Sequence, residues 1–107
     1  MTGMEISSLV RRKLNPIIFV LNNRGYSTER VLLDGPWNDI QDWNFENIPS
    51  VVGGGRGYTV ETEEHLEQVL AEVLPLHDEL AIINVKLDKN DHSPAMVRFA
   101  AKLKKKL

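Results

Sequence analysis

A chain of 107 residues, 42% hydrophobic and 26% charged, is long enough for one domain with a modest core and too balanced in composition for disorder. Its formal net charge of −2 gives no electrostatic reason to expect a nucleic acid or an anionic membrane as partner, and with no cysteine it forms neither disulfides nor thiolate metal sites. The apolar runs fall far short of the ~20 residues of a membrane span. No basic-then-apolar leader opens the chain, so a cytoplasmic location is expected.

Ile6, Leu9, Val10 and Leu14 recur at helical spacing, and Arg11, Arg12 and Lys13 place cations in the last turn, where they suit the helix dipole. Asn15-Pro16 ends this helix and launches a strand from Ile17 to Leu21. That run is apolar without alternation, the pattern of a parallel strand buried on both faces. It stops at Asn22-Asn23-Arg24-Gly25. Sheets of this kind bind ligands beyond the carboxyl ends of their strands. Two carboxamides beside a glycine offer oxygen ligands to a hard cation and close backbone approach to a phosphate. The same four residues equally suit a turn that only ends a strand. Ser27 or Thr28 then caps a short helix, which Asp34-Gly35-Pro36 stops.

Residues 37–50 read as irregular and aromatic, with Trp37, Trp43 and Phe45 expected to anchor the segment to a core or an interface. A helical turn around Pro49 to Val52 precedes Gly53-Gly54-Gly55. This triple glycine is not a phosphate loop, because no Lys-Ser/Thr follows and the next strand, Tyr58 to Glu61, comes after it. Thr62 caps the clearest helix, with Glu63 and Glu64 in its first turn and Leu66, Val69, Leu70, Val73 and Leu74 as its buried stripe. Leu80 to Leu87 is a second long apolar strand. Ser93-Pro94 then sets a cap and a first-turn proline, and the final helix carries Met96, Phe99, Ala100, Leu103 and Leu107 on one side. Lys102, Lys104, Lys105 and Lys106 form its solvated face. His65, His77 and His92 lack metal spacing and read as surface or hydrogen-bonding residues. The order predicts an α/β fold of three-layer type, a mostly parallel sheet with covering helices. Opening on a helix with no strand before it, the sheet is expected to be incomplete.

The opening Met-Thr-Gly-Met-Glu-Ile-Ser, the stretch Asn-Pro-Ile-Ile-Phe-Val-Leu-Asn-Asn-Arg-Gly-Tyr-Ser-Thr-Glu and the later Asp-Gly-Pro-Trp-Asn-Asp-Ile-Gln-Asp-Trp-Asn form a recognisable set. Together they resemble the C-terminal diphosphate-binding domain of thiamin-diphosphate enzymes, most closely the pyruvate and indolepyruvate decarboxylase group of 2-oxoacid decarboxylases. The Asn-Asn-x-Gly-Tyr-x-x-Glu spacing with the downstream Asp-Gly-Pro carries the likeness, which runs essentially from end to end. The resemblance implies that the Asn23 side-chain oxygen and the Gly25 carbonyl ligate Mg2+, which bridges the diphosphate of thiamin diphosphate. It likewise implies that Tyr26 and Thr28 contact the cofactor and that Glu29 is the catalytic glutamate, managing a proton after decarboxylation. Magnesium favours hard oxygen ligands shared with phosphate, and a glutamate desolvated beside a cofactor can be tuned towards neutral pH.

The departures from the family pattern are also informative. Gly-Asp-Gly, which opens the family motif and supplies a charged magnesium ligand, is absent, and Thr28 stands where close relatives carry an aliphatic residue. Residues 1–107 are therefore expected to form a single partial domain, about the last fifth of a decarboxylase, with Met1 an internal methionine of the family sequence. The family's cofactor-activating glutamate lies in an amino-terminal domain contributed by the other subunit of a dimer. The resulting expectation is a magnesium- and thiamin-diphosphate-binding portion that is inactive in isolation. The alternative is an orphan α/β domain with a self-association or structural role. An unpaired strand edge at Ile17 to Leu21 adds the expectation of a homo-oligomer.

Overall fold

A computed structural model describes residues 3–106, so the expectations for Met1 and for Leu107 lie outside the described residues. Chain order runs α1 (Ile6–Arg11), β1 (Ile17–Asn22), α2 (Ser27–Leu32), α3 (Ile48–Val52), β2 (Arg56–Val60), α4 (Glu63–Val73), β3 (Ala81–Lys86) and α5 (Pro94–Lys104). Short 3-10 turns occupy Gly3–Glu5, Pro36–Asn38 and Phe45–Asn47. The chain divides into two compact units, Met1–Leu21 with Trp43–Lys86, and Asn22–Asp42 with Leu87–Leu107.

The first unit holds the sheet, in the order β1-β3-β2. Strands β2 and β3 are parallel, with Arg56 opposite Ala81 and Val60 opposite Val85. Strand β1 runs the same way: Ala81 N donates to Pro16 O at 3.1 Å, and six residues on Leu87 N donates to Asn22 O at 2.9 Å. The fold is therefore α/β with a three-stranded parallel sheet. Val60, Val69, Val73, Ala81 and Ile83 form the core, with Ile17, Tyr58, Leu66, Leu70 and Val85 packed against them. This is α4 laid over one face of the sheet. On the other face the Phe45–Asn47 turn approaches so closely that a Cβ at Gly57 would lie 1.6 Å from the Glu46 carbonyl oxygen, a position open to glycine alone.

The α4 cap is as expected: the Thr62 hydroxyl accepts from His65 N at 3.1 Å, satisfying one orphan donor of the first turn. Leu74 is not part of the stripe, because the helix ends at Val73 and Leu74 is exposed. Similarly, α1 is shorter than its apolar spacing suggests. Lys13 adopts a left-handed φ of 55°, with Leu14 N bonded to Leu9 O and Lys13 N to Val10 O. These paired bonds form a Schellman closure, which turns the chain out of the helix and leaves Leu14 exposed. The continuous apolar run at β1 does not mean burial on both faces. β1 is an edge strand, and Phe19 and Leu21 remain 47% and 69% exposed. The strand buried on both faces is β3, flanked on each side, where Ala81 to Asn84 are all buried.

In the second unit α2 packs on α5. Ser93 caps α5, accepting from Met96 N at 3.1 Å, with Pro94 in the first turn. Ala100 is buried on the packed side, but Phe99 is exposed, so the apolar face of α5 is narrower than its composition implies. Trp37 in this unit and Trp43 in the first are also exposed, and neither anchors its segment to a core. Trp43 instead stacks on Phe45, ring centroids 6.1 Å apart. Among the described residues no helix is long and apolar enough to cross a membrane.

Candidate functional site

The Asn-Asn-Arg-Gly corner stands at the carboxyl end of β1, entirely within the second unit. Asn22 closes the strand and is buried; its Nδ2 donates to Asp42 at 2.8 Å and its Oδ1 accepts from Arg24 N at 3.2 Å. Asn23 makes a second Asx turn, its Oδ1 accepting from Gly25 N at 3.3 Å. Between them Arg24 takes a left-handed φ of 58°, uncommon for a residue with a side chain.

Gly25 pairs with Asp39 in a single antiparallel bridge. The bridge bonds run through the neighbours: Tyr26 N donates to Asn38 O at 2.8 Å, and Ile40 N to Arg24 O at 3.0 Å. The bridge thus makes no use of the Gly25 carbonyl. A Cβ at Gly25 would meet the Asn38 carbonyl oxygen at 2.1 Å and Arg30 Nη2 at 2.2 Å, so only glycine fits.

Arg30, which the sequence does not single out, organises the corner. Its side chain is 1% exposed. Nη1 donates to Asn23 O at 2.9 Å and Lys89 O at 3.1 Å; Nη2 donates to Arg24 O at 3.0 Å and pairs with Asp39 Oδ1 at 2.8 Å. The Arg30 hydrogen bond holds the Asp39 carboxyl below its ordinary 3.8, against desolvation, with Lys89 and Arg24 adding to the attraction. Arg24, Arg30, Asp39, Ile40 and Lys89 line an open depression of about 250 Å3 in which basic groups outnumber the one carboxylate. A six-residue helix shows too little periodicity to reveal a buried arginine, and its acceptors are mostly backbone carbonyls, which no side-chain pattern announces.

The remaining predicted site residues follow directly. Tyr26 is the N-cap of α2, extended and without a side-chain cap bond, so neither Ser27 nor Thr28 caps this helix. Ser27 bonds instead to His92 Nδ1 at 3.0 Å, giving that histidine the hydrogen-bonding role expected of it. Thr28 and Glu29 lie in the first turn of α2, both exposed. Residues 23–29 thus bring all five candidate side chains and carbonyls onto one strand-to-helix corner.

The family described as "Thiamine pyrophosphate enzyme, C-terminal TPP binding domain" matches residues 1–85. The chain belongs to this family. Among curated proteins it is similar to a probable pyruvate decarboxylase of Schizosaccharomyces pombe, 36% identical over 101 residues that make up 91% of this chain and 18% of the relative. A pyruvate decarboxylase of Aspergillus fumigatus is 42% identical over 71 residues, 62% of this chain and 12% of the relative. The pyruvate decarboxylase 2 of Oryza sativa subsp. japonica is 31% identical over 106 residues, 95% of this chain and 18% of the relative. The chain therefore spans about a fifth or less of the length of these relatives.

The donor set of this thiamine pyrophosphate-binding domain suits magnesium in kind. The Asn23 carboxamide oxygen keeps one acceptor site beyond its Asx bond, and the Gly25 carbonyl lies outside the bridge bonding; both are hard oxygens. Both are also neutral. Among the described residues no group of three or more His, Cys, Asp or Glu could hold a metal ion. With neutral ligands beside a basic depression, the corner suits a magnesium–diphosphate complex better than a bare cation.

Proposed function

We propose that this chain is the magnesium- and thiamin-diphosphate-binding portion of a 2-oxoacid decarboxylase of the pyruvate or indolepyruvate type, with residues 1–107 forming one partial cofactor-binding domain. The observation that carries this reading is the strand-end corner itself, which sets Asn23 Oδ1 within 3.3 Å of Gly25 N while leaving the Gly25 carbonyl out of the bridge, in a chain of the thiamine pyrophosphate family. Asn23 and Gly25 hold the Mg2+ ion, and Tyr26 and Thr28 orient the cofactor. Glu29, exposed at the start of α2, holds or delivers a proton at the reacting carbon. Bound thiamin diphosphate supplies stabilisation of the carbanion left when carbon dioxide departs. The proposed setting is the cytoplasm.

The chain by itself is proposed to be catalytically inactive. It contains no Gly-Asp-Gly, and catalytic groups that act as a unit are strongly non-additive. Calorimetry with Mg2+ and thiamin diphosphate tests the cofactor reading. Weak, magnesium-dependent binding is expected, and its loss in Asn23→Ala; tight binding, or equal binding by both proteins, contradicts the assignment. Assays with pyruvate, phenylpyruvate and indolepyruvate should yield no aldehyde, and substantial aldehyde production contradicts the claim of inactivity.

A second reading, an orphan α/β domain that self-associates, rests on the β1 edge. Its outer backbone groups lie beside the exposed Phe19 and Leu21, a surface suited to pairing with a second copy or with further decarboxylase sequence. Light scattering at micromolar concentration should give a dimer or larger species, and a monodisperse monomer rejects self-association.

A further inference from the structure

We propose that Arg30 is a positioning residue for the magnesium corner, acting through the two peptide groups that join Asn23 to Gly25; the proposal rests on the cofactor reading above. The carbonyls of Asn23 and Arg24 belong to those two peptides, and the Arg30 guanidinium donates to both, at 2.9 and 3.0 Å. Each peptide plane is rigid, so fixing the two carbonyls fixes the backbone from Asn23 to the Gly25 Cα, and the Tyr26 N bond to Asn38 O then sets the plane that carries the Gly25 carbonyl.

Three further features set the clamp. The guanidinium is anchored outside the corner by Lys89 O and by the Asp39 carboxylate. Asp39 is itself tied to the corner by its backbone bridge to Gly25. Arg24, whose left-handed φ is disfavoured for a residue with a Cβ, is held there by two bonds to its carbonyl, from Arg30 Nη2 and Ile40 N.

Only a planar fork reaches four acceptors in this way; a lysine ammonium would keep the charge and lose the geometry. Groups that orient metal ligands without touching the metal commonly matter as much as this. Their removal costs about 10- to 100-fold in metal affinity.

The test uses the full 107-residue chain, titrated with MgCl2 and thiamin diphosphate and followed by the amide resonances of Asn23 and Gly25. Arg30→Lys should bind about 10- to 100-fold more weakly than wild type at a temperature where both are folded. It should also show shifted Arg24 and Gly25 resonances before any ligand is added. Asp39→Ala, which removes one anchor at a half-exposed position, should bind severalfold more weakly. Val69→Ala, a core change in the other unit, should lower Tm and leave affinity unchanged, separating positioning from general stability.

Wild-type binding that Arg30→Lys matches overturns the proposal alone. If Arg30→Lys does not fold, unchanged binding by Asp39→Ala overturns it. A wild-type chain whose Asn23 and Gly25 resonances do not respond overturns the cofactor reading, and this proposal with it.

Discussion

Gly25 is the residue on which the corner depends most sharply. A methyl group there would sit about 2 Å from both a backbone oxygen and the buried guanidinium; moving the first opens the bridge to Asp39, and moving the second breaks its bonds to Arg24 O and the Asp39 carboxylate. Gly25→Ala should therefore destabilise the chain by about 3 kcal/mol, the upper range for overpacking, measured by urea unfolding. In the first unit Asn84, fully buried in the central strand, donates to Glu46 at 2.8 Å. Burial pushes the Glu46 carboxyl up, but the Asn84 hydrogen bond, with further help from Thr59 and Lys86, brings it below its ordinary 4.5. Asp39 is likewise held below 3.8 by Arg30. For groups lowered on folding, the linked stability is complete above the unfolded value and is lost as pH falls through the folded one. Unfolding midpoints should thus be flat from neutral pH to about 5 and fall below 4.5. In Glu46→Gln the acid-side fall should be shallower; an identical profile would remove Glu46 from the account. At this scale the strand end at Asn22-Asn23 and the turn through Gly25 were legible from residue type, whereas the roles proposed for Asn23, Gly25 and Glu29 rest on the family resemblance. Arg30 was not legible, because its acceptors are backbone oxygens that only the fold assembles.

Elements with strong local signals were readable in the chain. Thr62 and Ser93 cap α4 and α5 as their positions suggest, since a hydroxyl one residue before a helix satisfies an N–H whatever the surroundings. Thr62→Ala should cost about 1 kcal/mol, checked by the shift in denaturation midpoint. Burial was less legible. Leu14, Leu74 and Phe99 share their helices' apolar spacing yet stay exposed, the first two because the helix ends before them. β1 and β3 have similar apolar runs, but only the central strand is covered on both faces. Sequence gives a strand its apolarity; neighbours decide what covers it. Native-state hydrogen exchange should accordingly be slowest at Ile82 to Asn84 of β3 and faster along β1, and the reverse order would contradict this reading of the core.

For the whole chain, both compact units are built from two separated stretches, so each depends on residues far apart in sequence. The α/β class followed from element order, whereas the division into units did not, because it turns on where β1 and β3 hand over to the segments that follow them. The central proposal is that, in this chain of the thiamine pyrophosphate family, the strand-end corner takes magnesium and thiamin diphosphate through Asn23 and Gly25. Mn2+, which shares magnesium's preference for oxygen ligands, makes the position of the metal directly visible. Mn2+ added with thiamin diphosphate should broaden the amide resonances of Asn23, Arg24 and Gly25 before any others, and Asn23→Ala should abolish that effect. Broadening centred instead on the acidic stretch Glu61 to Glu67, with the corner left sharp, would contradict the account.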